Sequence, residues 1–161
     1  MAIKNYSTNI SVEKTVSEIE SNLAKHGARK IQKDYYGDGS IKGIAFIVLV
    51  NDKQIPFVLP IELNAWVSLL NLVVNEGKMP KRFLNDSAQA ARIGWRVIKD
   101  WVDAQLALVE TKTVKIEQVF LPYAMDNSGK TLYDAISSNG WGNLQLVSSD
   151  KDDFEEGVVN G

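Results

Sequence analysis

The sequence predicts an α+β domain in which a three-stranded antiparallel β-meander packs against helices, and three observations predict it. Val12, Val16, Ile19 and Leu23 recur at helical spacing. Three strand-like runs, Arg29 to Tyr36, Ile41 to Val50 and Gln54 to Leu59, are parted only by Gly37-Asp38-Gly39-Ser40 and Asn51-Asp52-Lys53, which are hairpin turns by composition. In the C-terminal half, Gly94, Val97, Trp101, Ala104 and Leu108 form one stripe and Ala91, Trp95, Ile98, Val102 and Val109 its neighbour, which marks a long helix with a broad buried side.

Residues 1 to 9 show no period and are expected to fray or lie along the surface. The first helix runs from Ser11 to His26, with Gly27 as its stop. After the strands, Leu63, Trp66, Leu69, Leu70, Val73 and Val74 describe a second helix ending near Gly77, and Met79-Pro80 breaks the chain beyond it. The long helix begins at Asn85-Asp86-Ser87, where Asp86 and Gln89 have the spacing of a capping box, and runs to Glu110 or Thr111. About 25 residues span roughly 37 Å. Val114 to Ala124 reads as a strand or a short irregular segment closed by Pro122, and Ser128 to Ser137 as a short helix. Beyond Gly140 the composition turns to Gly, Ser, Asn, Asp and Glu, so the expected organisation is one domain over 1–138 and a flexible acidic tail over 139–161.

Pairing across the turns assigns the sheet faces. With Tyr36 opposite Ile41 and Val50 opposite Ile55, one face holds Ile31, Lys33, Tyr35, Lys42, Ile44, Phe46, Val48, Val50, Ile55, Phe57 and Leu59, and this face is the core. The other holds Lys30, Gln32, Asp34, Tyr36, Ile41, Gly43, Ala45, Ile47, Leu49 and Val58. That mixture is too apolar to be freely solvated throughout, so a second helix layer, another subunit in a homo-oligomer or a ligand is expected over part of it.

Composition excludes several functions. The chain has 161 residues, 45% apolar and 24% charged, with no cysteine and one histidine. Thiol nucleophiles, zinc thiolates, disulfides and histidine relays are ruled out. The longest apolar run, Ile44 to Val50, is far short of a membrane span, and no secretory signal pattern stands at the N-terminus, so the expected location is the cytoplasm. The net charge of −2 divides unevenly. The final 21 residues carry Lys151 against Asp150, Asp152, Asp153, Glu155 and Glu156, while Lys78, Lys81, Arg82, Arg92, Arg96 and Lys99 face only Asp86 within their own stretch. A basic block joined to an acidic segment suits a protein that meets polyanions. Basic residues near a helix start oppose its dipole, which hints at a purpose other than helix stability.

Five features of the sequence carry candidate chemistry. Asn127-Ser128-Gly129-Lys130-Thr131 ends like a phosphate-binding P-loop, but position 124, where that motif needs glycine, is Ala124. Asp34, Asp38 and Asp52 sit in a strand and two tight turns, where aspartate serves local hydrogen bonding. His26 is read as an end-of-helix residue, and Trp66, Trp95 and Trp101 as core. Tyr35 and Tyr36 point to opposite faces at a strand end, so one is offered to solvent beside Lys30 or Lys42. An aromatic next to lysines on a sheet is an arrangement that stacks an unpaired base and holds its phosphate.

Four stretches, Gly43 to Phe46, Ile55 to Pro60, Ala91 to Ala107 and Val119 to Tyr123, together resemble a family of small phage- and prophage-encoded proteins over roughly residues 10 to 137. The resemblance implies a part in phage DNA metabolism, hence single-stranded-DNA binding in the host cytoplasm. The expectation is thus a non-catalytic binder without metal or cofactor. Lys78, Lys81, Arg82, Arg92, Arg96 and Lys99 track phosphates, Lys30 and Lys42 flank the sheet aromatics, and Tyr36 with Tyr35 stacks bases. The acidic tail competes for the groove or recruits a host or phage replication or recombination protein. The rival expectation is a phage protein-interaction module that inhibits a host factor through the second sheet face and the tail. An enzyme would be confined to carboxylate-only or magnesium-dependent chemistry.

Overall fold

The computed structural model describes residues 4–142. The acidic stretch expected at 139–161 therefore lies outside the described residues from position 143 onward. The order is helix α1 (Val12–Lys25), strands β1 (Ala28–Tyr35), β2 (Ile41–Val50) and β3 (Lys53–Val58), then helices α2 (Leu63–Asn75), α3 (Ser87–Glu110), α4 (Ile116–Val119) and α5 (Leu132–Asn139). The expected α+β class and antiparallel meander are present, with strand order β1-β2-β3. The Val114 to Ala124 stretch resolves into α4, a 3-10 turn over Leu121–Tyr123 and a single bridge from Ala124 to Phe57 on the edge of β3. The opposite sheet edge, along β1, has no strand neighbour among the described residues.

The β1–β2 register pairs Lys33 with Ile44 and Ile31 with Phe46, as the turn arithmetic predicts. A shift between Asp34 and Tyr35 then puts Tyr35 rather than Tyr36 opposite Ile41. The second hairpin is tighter than expected. Asn51 (φ 50) and Asp52 (φ 63) both take left-handed backbone, the requirement of a two-residue turn whose twist matches its strands, so Lys53 pairs with Val50 and Ile55 with Val48. The slip is two residues, and because side chains alternate with period two the faces are preserved.

Ile44, Phe46, Val48, Phe57 and Leu59 are buried as assigned, and they pack on Val16, Ile19 and Leu23 of α1 and Trp95, Ile98, Val102 and Leu106 of α3. Phe46 stacks on Phe57 at 5.4 Å and meets Phe120 edge-on at 5.3 Å, an aromatic centre in which truncating one ring costs about 3–5 kcal/mol. Tyr35 and Lys33, expected inside, are exposed: β1 is the edge strand, and only Ile31 and Ala28 of it pack against the core. Lys33 instead meets Glu20 of α1 at 3.0 Å, which raises its pKa.

The first half of α3 builds a second core with α2, from Leu70, Val73, Val74, Met79, Ala90 and Ile93. Gly94 makes this contact close, since a Cβ there would stand 2.8 Å from Cδ1 of Trp66. Asn85 enters α3 with φ 56 and is locked to α2 by two hydrogen bonds: its backbone N–H donates to Asn71 Oδ1, and Asn71 Nδ2 donates to Asn85 Oδ1, each at 2.8 Å. Asp86 caps α3 by accepting from the Gln89 N–H, but the Gln89 side chain does not return the bond. Its amide nitrogen donates to the carbonyls of Tyr6 and Thr8 and fastens the segment before α1 to α3.

Candidate nucleic-acid interface

The starts of three helices, α1 at Ser11–Glu13, α2 at Leu63–Asn64 and α3 at Ser87–Ala88, line a single groove of 630 Å³, closed on its fourth side by the β1–β2 turn. Each helix start presents backbone N–H groups and the positive end of its dipole. The carboxylate caps Glu62 and Asp86 offset part of that field. Tyr36, Lys42, Trp66 and Arg92 also line the groove.

The turn positions Tyr36. Its N–H donates to the Ser40 carbonyl at 2.8 Å, and Gly39, at φ 85, donates back to the Tyr36 carbonyl. Asp38 accepts from both the N–H and the hydroxyl of Ser40, bonds that lower its pKa and commit its charge to the turn. Lys42 lies over the Tyr36 ring with Nζ 5.8 Å from the centroid, a contact of ordinary cation–π range. Lys42 has no ion pair among the described residues. Arg92 donates from Nε and Nη2 to the single Gln89 Oε1, at 3.0 and 2.7 Å, and Nη1 has no hydrogen-bond partner among the described residues. Trp66 is half-buried against Gly94 of α3 and also lines the groove.

Of the ten side chains singled out in the sequence, the groove gathers Tyr36, Lys42 and Arg92, and the other seven lie elsewhere. Arg96, 16% exposed, donates to Glu18 at 2.9 Å, and Lys99, 18% exposed, pairs with Asp103 and, at 3.8 Å, with the same Glu18. These two cations hold α1 to α3 and are corrected from phosphate contacts to structural ion pairs. Lys78 pairs with Glu76 at 3.0 Å. Lys81 and Arg82 stand on a 3-10 turn (Lys81–Phe83), with Arg82 over the Phe83 ring at 4.6 Å. Lys30 is exposed on the outer face of β1, and Tyr35 is 54% exposed beyond the core. The six-cation block is therefore not one surface.

The physical reason is the placement of α1. Arg92, Arg96 and Lys99 share one side of α3, but α1 lies along that side and its Glu18 takes the last two, while Arg92 falls level with Ser11, where α1 begins. The spacing of Trp66 marks it as core, and nothing in that spacing separates a groove wall from a buried seam. Asn127 to Thr131 is a tight turn, with Asp126 accepting from the Ser128 and Lys130 N–H groups and Thr131 capping α5, and no strand feeds that helix as a P-loop requires. His26 ends α1 as expected, its ring nitrogens 2.7 Å from the Asn22 carbonyl and from Glu110 of α3. Among the described residues no group of His, Asp and Glu is placed to hold a metal ion, and no helix is long and apolar enough to cross a membrane. The chain matches no family model, no curated protein and no solved structure.

Proposed function

We propose that the protein is a non-catalytic binder of single-stranded DNA and that the groove at the three helix starts is its contact site. One observation carries the reading: a tyrosine with a lysine against its face, a half-buried tryptophan and an arginine with a spare N–H edge all open into one cavity. Aromatic faces inside a concave site are reached by an unpaired base and not by one stacked within a duplex. Lys42, Arg92 and the helix N–H groups supply the phosphate contacts. The resemblance to phage-encoded proteins supports a role in phage DNA metabolism.

Fluorescence titration of labelled oligonucleotides tests this reading. Single strands are expected to bind and duplexes of the same sequence to bind far more weakly. Tyr36→Ala is expected to remove one stacked base, about 1–3 kcal/mol, or roughly five- to 150-fold in affinity. Arg92→Ala should also weaken binding, while Arg96→Ala, which touches only the α1–α3 pairing, should lower stability and leave affinity unchanged. Equal affinity for duplex and single strand, or unchanged binding by both Tyr36→Ala and Arg92→Ala, rejects the proposal.

The outer sheet face favours the rival interaction module. Ala45 and Ile47 are only half-buried, Leu49 is 44% exposed, and no described helix covers them. A stoichiometric protein partner retained from nuclease-treated host lysate, and lost on Leu49→Lys, would favour that module.

A further inference from the structure

We infer that Gln89 positions Arg92 for the groove and that the segment before α1 sets Gln89, so that undocking of residues 4–9 weakens oligonucleotide binding; the affinity part of the inference rests on the nucleic-acid reading of that groove. Gln89 is 3% exposed and lies one turn before Arg92 on α3. Its side-chain hydrogen bonds run in two directions: the amide nitrogen donates to the Tyr6 and Thr8 carbonyls at 2.9 and 3.2 Å, and the oxygen accepts from Nε and Nη2 of Arg92 at 3.0 and 2.7 Å. These partners fix which way the amide faces. Carbonyl oxygens only accept and a guanidinium only donates, so a half-turn of the amide would set oxygen against two oxygens and an NH2 group against a cation.

Nitrogen and oxygen share one rigid plane, so the segment that holds the nitrogen also holds the oxygen. The oxygen in turn fixes the guanidinium of Arg92, a groove residue, and leaves Nη1 as the end without a hydrogen-bond partner among the described residues. A planar guanidinium fork meets a phosphate well only when it is oriented, and a long side chain that must be ordered at the moment of binding lowers affinity. The segment itself is held lightly. Lys4, Tyr6 and Ser7 are exposed, so polar contacts rather than burial dock it, and segments of this kind open at low free energy. Its second anchor lies farther along α3, where Asn5 Nδ2 and Lys4 Nζ reach Asp100 at 3.0 and 3.1 Å. Neither Lys4 nor Asn5 lines the groove, so the segment is open to loosening without a change to any groove residue.

Two variants cut this path at different places. Gln89→Met removes both sets of bonds at similar side-chain length. Lys4→Ala combined with Asn5→Gly releases the segment and leaves Gln89 in place; glycine is chosen because Asn5 holds left-handed backbone, φ 63. In each variant the amide protection of residues 4–9 should fall, and the Arg92 Nε–H signal should exchange with water roughly ten-fold faster than in the native protein. Affinity for a single-stranded oligothymidylate should fall roughly two- to twelve-fold, the effect of ordering one long side chain on binding. In an Arg92→Ala background neither variant should weaken binding further, because the path ends at that side chain. Native exchange of the Arg92 Nε–H in either variant overturns the inference. So does native oligothymidylate affinity in both variants, or a loss as large in the Arg92→Ala background as without it. Faster exchange in both variants of a protein that binds no oligothymidylate in any form supports the positioning of Arg92 by Gln89 and rejects the DNA-binding reading instead.

Discussion

Gly94 shows how much one missing methyl group arranges. A glycine in the middle of a helix costs about 1 kcal/mol against alanine, so on propensity alone Gly94→Ala should stabilise α3. The ring of Trp66 decides the other way, because the new Cβ would meet three indole atoms at 2.8 to 2.9 Å, too close for any small adjustment. Gly94→Ala is expected to destabilise the fold by about 1–3 kcal/mol in urea unfolding and to shift the tryptophan emission as the indole is pushed toward the groove. Unchanged or increased stability would mean that α2 moves away freely and that Trp66 is not a fixed wall. Tyr36 illustrates the complementary case. Strand alternation sets Tyr36 and Lys42 on opposite faces, but beyond the register shift at Tyr35 the structure brings Lys42 over the Tyr36 ring and both into the groove with Arg92, so neither neighbour was readable without the fold.

At the scale of elements, the hairpins were legible because turn composition and period-two alternation constrain each other. Asn51 and Asp52 are the residues that tolerate left-handed backbone, so a turn there was readable, while its length was not, since Lys53 suits a turn and a strand start equally. Helix spans were legible from apolar spacing, but the packing of α1 against the basic side of α3 was not, and that packing consumes Arg96 and Lys99. The segment before α1 docks through charge as well as through Gln89. Burial alone would raise the pKa of Asp100, yet hydrogen bonds from Asn5 Nδ2 at 3.0 Å and from Lys4 at 3.1 Å outweigh it and leave the net shift downward. A carboxylate with a folded pKa below its unfolded value stabilises the docked state above the unfolded pKa, near 4, and loses that contribution as pH falls through the folded value. Amide-exchange protection of residues 4 to 9 is therefore expected to be constant from pH 7 to about 5 and to fall below about 4, and Asp100→Asn should abolish this pH dependence. Protection in the variant that still falls with the native profile would assign the docking to another group.

For the whole molecule, the distribution of charge sets how DNA binding should respond to salt. Six convergent cations would give a slope of log K against log salt near −4, at about −0.7 per contact. The structure leaves Lys42 and Arg92 in the groove, so the expected slope is about −1.4, measured between 50 and 200 mM salt. A slope near −3.5 would show that Lys78, Lys81 and Arg82 join the contact, and a flat one that phosphate contributes nothing. Among the described residues, the margin of β1 has no strand neighbour. Unpaired backbone along a strand invites any stray extended chain to add itself, and folded proteins commonly guard such margins with like charges. Here Arg29, Lys30 and Lys33 stand along an eight-residue margin that is otherwise open to pairing. Lys30, which looks like part of a polyanion site in the linear sequence, stands there beside Arg29, where like charge disfavours the addition of a neighbouring chain.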